Sequence, residues 1–263
     1  KSDTLRADSL LLRAADHFRL LQDPKAWVAA LTELYRFHKD RERYERVSQV
    51  LENAVRDIWW EPDGQAGKLY AMLGFCLRQT GRNYAASIYY EKARVLSDRH
   101  GNVTAKNPAG PIYKTLANIK TRLGENEEAE KLFRAALDLL RTDTSSDNTV
   151  ANGFTQADIF SDLGIACQNA GDPAQALEQY ETGLVVLEAL SVLSPKDQAK
   201  AANTKGMLLA NKASALALLG RLPEAERAVQ TALSTMHSDK PRYRFSALGI
   251  QAERDAERLH QLG

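Results

Sequence analysis

Apolar residues recur at three- and four-residue spacing almost throughout the chain, and no stretch alternates for long. That period is the signature of amphipathic helices, each with one face turned to a core. Helix breakers punctuate the pattern at Asp23-Pro24, Pro62-Asp63-Gly64, Gly81, Gly101, Gly124, Gly171, Pro195, Gly220 and Pro241. The punctuation predicts about twelve helices joined mostly by short turns. Two connections are longer. His100 to Pro111 and Arg141 to Gly153, rich in Gly/Pro and in Thr/Ser/Asp/Asn respectively, read as loops. Ser194-Pro195-Lys196-Asp197 is a sharp helix start: Ser194 can cap, Pro195 suits the first helical position, and Asp197 faces the positive end of the dipole.

An internal repeat lies over this pattern. Four segments share one skeleton around Gly81, Gly124, Gly171 and Gly220. Five residues after each glycine stands Ala86, Ala129, Ala176 or Ala225, and twelve after stands Ala93, Ala136, Gly183 or Ala232. Seven before lies Gly74, Ala117, Gly164 or Ala213. Large residues sit nine after (Tyr90, Phe133, Tyr180, Val229) and eleven before (Tyr70, Tyr113, Phe160, Leu209). Antiparallel helices approach closely only where side chains are small. On this skeleton the small residue before the turn is expected to face the alanine after it, and the third small residue to admit the next hairpin. The glycine supplies the left-handed conformation that ends the first helix.

These residues resemble the tetratricopeptide repeat, most clearly in Tyr70-x-x-Leu73-Gly74 followed by Ala86, Tyr90 and Ala93. The resemblance covers Gly67 to about Ser238. It implies an all-α fold, a right-handed superhelical solenoid of antiparallel helix hairpins with capping helices at both ends. Copies begin near Gly67, Gly110, Ala157 and Gly206, spaced by 43, 47 and 49 residues. These spacings exceed the usual repeat of about 34 residues and are similar to the long-helix repeats of the kinesin light chain class. The proline expected late in each repeat is missing, and Lys212 stands where leucine is usual. The expected organisation is a single solenoid over 1–263: a capping helix over 1–23, a degenerate repeat over 28–60, repeats over 67–100, 110–143, 157–190 and 206–238, and a capping helix over 241–262. In the degenerate repeat Leu31, Leu34 and Tyr35 fall on the first helix, with Val47, Leu51 and Ala54 on the second.

In arrays of this family the first helix of each hairpin lines a concave surface that takes peptides or helices. The resemblance places groove positions at Lys68, Met72, Phe75, Arg78 and Gln79 in one copy and at Lys114, Thr115, Asn118, Thr121 and Arg122 in the next. Asp158, Ser161, Asp162, Gln168 and Asn169 follow, then Met207, Asn211 and Ser214. Such a groove is basic through two copies and turns acidic in the third. It suits a carboxylate-bearing segment held by cations, with amide side chains on its backbone. Lys114 and Asn118 resemble one half of the two-carboxylate clamp of chaperone-binding co-chaperones, but Asp162 and Met207 stand where that clamp needs Asn and Lys. Chaperone tails are therefore disfavoured.

Composition narrows the rest. A net charge of +1 lacks the basic excess of a nucleic-acid binder. The longest apolar run is far below the ~18 residues of a membrane span, so no membrane insertion is expected. Cys76 and Cys167, both within apolar helical stretches, read as small buried hydrophobes and favour a reducing intracellular, cytoplasmic setting. The chain begins at Lys1, so a targeting segment or further domain upstream would be out of view. His17, His38, His100, His237 and His260 are scattered, and no metal-ligand spacing, phosphate-binding loop or nucleophile elbow occurs. The expectation is a non-enzyme with no cofactor and no metal. Trp59-Trp60 is expected to plug the end of a hairpin, and the acidic run from Glu125 to Glu130 to open a helix. The leading function is an adaptor or assembly subunit that binds a protein or peptide, with an acidic segment favoured. The alternative is a regulatory receptor switched by a short signalling peptide.

Overall fold

Gly81, Gly124, Gly171 and Gly220 all adopt positive φ, between 72° and 86°, the conformation that closes a helix without a side-chain penalty. In the computed structural model, which describes residues 2–100, 109–142, 149–190 and 194–236, they separate consecutive helices of the repeat. Eleven helices, and no strand, occur among the described residues. The chain divides into two compact units, 1–123 and 124–263.

The first unit holds α1 (Ser2–Leu20), α2 (Pro24–Lys39), α3 (Tyr44–Arg56), α4 (Gly64–Gln79), α5 (Asn83–His100) and α6 (Ala109–Arg122). Asp23 caps α2 by accepting from the Ala26 amide at 3.0 Å. Asp63 caps α4 by accepting from the Gln65 amide at 2.9 Å. After α4 the Arg82 amide donates to the Leu77 carbonyl at 2.8 Å, the bond of a Schellman turn with Gly81 in its left-handed seat. The same bond runs from Arg43 to His38 at 3.0 Å, and there the left-handed seat holds Glu42 at φ 54°. Glu42 thus occupies the position of the turn glycines. Counting from it, Val47, Leu51 and Ala54 fall five, nine and twelve residues on, and all three are buried. α1 packs along α2 and is tied to it by Asp8, which accepts from His38 Nε2 at 2.7 Å and from Arg46 of α3 at 3.2 Å.

The second unit holds α7 (Asn126–Thr142), α8 (Thr149–Asn169), α9 (Pro173–Glu188), α10 (Pro195–Leu218) and α11 (Leu222–Thr235). α8 pairs with α9 and α10 with α11, while α7 packs on α8. Ser194 Oγ accepts from the Asp197 amide at 3.2 Å and donates to its carboxylate at 2.6 Å, as the helix-start signal requires. α10 runs back from Gly206 to Pro195, so the long repeat spacing is absorbed in a longer first helix. Lys212, the substituted leucine position, pairs with Glu181 of α9 at 2.8 Å. Glu127 and Glu128 fall in the first turn of α7.

Three expectations change. The connections read as 100–111 and 141–153 are partly helical: α5 ends at His100, α6 begins at Ala109, and α8 begins at Thr149. Residues 101–108 and 143–148 lie outside the described residues, as does the capping segment 241–262. In the two copies with glycine before the turn, that position lies nearest the aromatic residue nine past the turn, not the alanine five past it. A Cβ on Gly74 would lie 2.7 Å from Tyr90 Cδ2, and one on Gly164 would lie 2.3 Å from Tyr180 Cε1. The missing side chain makes room for the aromatic ring nine residues past the turn. Where the earlier position is Ala213, the later one is the smaller Val229. The third small position behaves as expected in one copy: a Cβ on Gly183 would meet Leu208 of α10 at 3.0 Å.

Candidate functional site

On the first-helix side of unit one, Phe75 is the hub of a cluster. Its ring lies 6.0 Å from that of Tyr35 on α2 and 5.9 Å from that of Tyr44 on α3, both edge-on. Lys39 Nζ stands 5.1 Å and the Arg78 guanidinium 5.5 Å from the Phe75 ring centre, within cation–π range. Lys39 is also 5.8 Å from the Tyr35 ring. Neither cation has a carboxylate at ion-pair distance among the described residues, and Arg78 Nε is buried with no hydrogen-bond partner. Burial drives the Tyr35 phenol well above its usual pKa and that of Tyr90 up to about 12, so both stay neutral. The cluster therefore sets two cations, neither paired with a carboxylate among the described residues, against an aromatic floor.

Lys68, one helical stretch away on α4, is half-buried, and burial together with the nearby Arg36 lowers its pKa. Met72 is only 7% exposed and belongs to the core, not to an open groove. On α6, Lys114 and Asn118 are half-buried and Arg122 is exposed.

In unit two the same register is used for packing. Asn211 Nδ2 donates to Ser161 Oγ at 3.0 Å, and Gln168 Nε2 donates to Ser214 Oγ at 3.2 Å. These bonds stitch α8 to α10, so Asn211 serves its neighbour helix. Asp162 is half-buried on α8. Sequence reasoning missed Lys39, Tyr35 and Tyr44 as site residues because they lie in the degenerate repeat. The signal was present: Tyr35 sits seven residues before Glu42, the same offset that separates Gly74 from Gly81.

The other candidates are structural. Trp27 is buried, with Trp59 and Trp60 at 4.9 and 5.7 Å, and Trp60 Nε1 donates to the capping Asp63 at 3.1 Å. Cys76 and Cys167 are buried free thiols pushed by burial up to about 12 and about 11. Among the described residues no group of three His, Cys, Asp or Glu could hold a metal, and no helix is long and apolar enough to cross a membrane.

A tetratricopeptide repeat model matches residues 67–93 and 111–141. A search of curated protein sequences finds no match. Among solved structures the chain is similar to BtubC (BKLC) from P. vanneervenii, at 19% identity and TM-score 0.65 over 88% of this chain and 90% of that one. It is similar to a putative kinesin light chain with nearly identical TPR-like repeats from Podosopora anserina, at 15% identity and TM-score 0.60 over 79% and 94%. It is also similar to Bacillus thuringiensis PlcR in complex with the peptide PapR7 and DNA, at 14% identity and TM-score 0.54 over 87% and 73%. At such identities the likeness concerns the fold alone. With the repeat skeleton, the turn glycines and the matched segments, it identifies the chain as an all-helical tetratricopeptide-repeat protein, with long-helix repeats like those of the kinesin light chain structures.

Proposed function

We propose that the chain is a non-catalytic protein-interaction module that holds an acidic segment of a partner protein on the first-helix face of unit one. The observation that carries this reading is the pair Lys39 and Arg78, both cationic, neither at ion-pair distance from a carboxylate among the described residues, flanking the Phe75 ring. Arg78 is half-buried, and a partly desolvated guanidinium favours a carboxylate that supplies its counter-charge. Lys68, Lys114 and Arg122 add positive charge along α4 and α6, and Asn118 offers an amide to an extended backbone. PlcR, a protein of similar fold, is seen with a bound peptide, which supports a short segment as the occupant. Unit two, with Asp162 in the same register and Asn211 engaged with Ser161, contributes less to gripping an acid.

The test is selection of peptides from a random display library on the immobilised full chain, followed by sequencing. Enrichment of Asp- and Glu-rich peptides, lost when Lys114→Glu and Arg122→Glu are combined, is the expected result. Enrichment of basic or purely apolar peptides would overturn the reading.

A further inference from the structure

Charge on the first helices of unit one is almost all of one sign. Together α2, α4 and α6 carry eight Lys or Arg residues and a single acid, Glu33. The second helix α3 shows an ordinary mixture, with Glu45 and Glu52 against Arg46 and Arg56. Glu33 does not stand apart from the cations. Its carboxylate accepts from Arg36, one turn further along α2, at 2.6 Å. Half-buried Lys68 of α4 lies within electrostatic reach of both: Arg36 opposes its charge and Glu33 favours it. One carboxylate of the chain itself thus stands in the field where a partner's acid would go.

Both members of the Glu33–Arg36 pair are well exposed, at 57% and 62%. Exposed pairs one helical turn apart contribute little to stability, so an outside carboxylate can replace the inner one at small cost. Resting on the acidic-segment reading, we propose that Glu33 is an internal competitor, which occupies the Arg36 and Lys68 cations in the free chain until a partner's acid displaces it. The consequence is selectivity. A segment with one acid gains little by exchanging one carboxylate for another at Arg36. A segment with several acids also engages Lys39 and Arg78, which have no carboxylate at ion-pair distance among the described residues. Glu33 therefore sets how acidic a segment must be before it is held.

Fluorescence anisotropy of a labelled hexa-aspartate peptide titrated with the full chain tests this at about 0.1 M salt, where screening confines charge effects to about 10 Å. Glu33→Gln frees an exposed cation, so it should tighten binding about two- to fivefold, with unchanged circular dichroism. In an Arg36→Gln background the same substitution should gain less, because the cation it frees is gone. Asp16→Asn, on the exposed side of α1, makes the same change in net charge and should leave the affinity as it was. Unchanged or weakened binding by Glu33→Gln, or an equal gain from Asp16→Asn, overturns the inference. Wild-type binding that Lys39→Glu weakens would then leave the acidic-segment reading standing. Hexa-aspartate that binds none of these proteins overturns both.

Discussion

Replacing Gly74 and Gly67 by alanine, one at a time, separates backbone propensity from packing within a single helix. Both glycines lie inside α4. Alanine in a helix interior is favoured over glycine by about 0.5–1 kcal/mol at either site. At Gly67 the new Cβ would stand 3.5 Å from Leu96 Cβ, an ordinary contact, so Gly67→Ala should stabilise by roughly that amount. At Gly74 the Cβ would lie 2.7 Å from Cδ2 and 2.9 Å from Cε2 of Tyr90, whose ring is 5% exposed and cannot swing into solvent. Overpacking of that kind costs about 1–3 kcal/mol, more than the propensity gain. The two variants should therefore shift in opposite directions and differ by about 1–3 kcal/mol. Urea unfolding followed by far-UV circular dichroism reads the midpoints directly. Equal stabilisation by both alanines would show that the glycine at this position does not exist to seat the aromatic ring.

Other perturbations follow from single contacts. Ala176, fully buried near the start of α9, should tolerate leucine poorly, and Ala176→Leu should cost about 1–3 kcal/mol in thermal or urea unfolding, while Ala174→Leu at an exposed site should not. Glu42→Gly should stabilise by about 0.5–1 kcal/mol, because a non-glycine residue at φ 54° is strained by about 1–2 kcal/mol and glycine returns part of that in chain entropy. Unchanged or lowered stability would refute it. For Asp8, burial opposes ionisation, but hydrogen bonds and charge from His38 and Arg46 outweigh it and hold the pKa below the usual 3.8. A carboxylate depressed in the folded state stabilises above its unfolded pKa, and that stabilisation is lost as pH falls through the folded value. The stability gap between wild type and Asp8→Asn should therefore be full near neutrality and close at strongly acid pH; a gap independent of pH would contradict the linkage.

The repeat skeleton was legible because it rests on backbone geometry and volume, which single residue types report. Gly81 or Gly171 at positive φ and Ala86 or Ala176 at a helix contact leave a fixed spacing in the sequence. Boundaries in polar stretches were less legible: Ala109 and Thr149 open helices that composition alone assigned to loops, since packing overrode local propensity. The first helix of the degenerate repeat was placed, but its turn was not, because Glu42 has the conformation of a glycine without its identity. That gap hid Tyr35 and Lys39 from the site. Register alone also could not tell Arg122, which faces solvent, from Met72, which is buried, or from Asn211, which bonds Ser161.

The central claim is that the cations on the first-helix face of unit one grip an acidic segment. Fluorescence anisotropy of a labelled, selected acidic peptide titrated with wild type, with Lys39→Glu, and with the combined Lys114→Glu and Arg122→Glu tests it most directly, each at low and moderate salt. Exposed ion pairs contribute only about 0.2–1 kcal/mol apiece, but reversal adds repulsion, so each variant should bind at least tenfold more weakly, about 1.4 kcal/mol. Wild-type affinity should fall with added salt, as screening of partly exposed charges requires. Unchanged affinity in all three proteins at low salt, with helicity intact, would contradict the account and remove the acidic segment from this face.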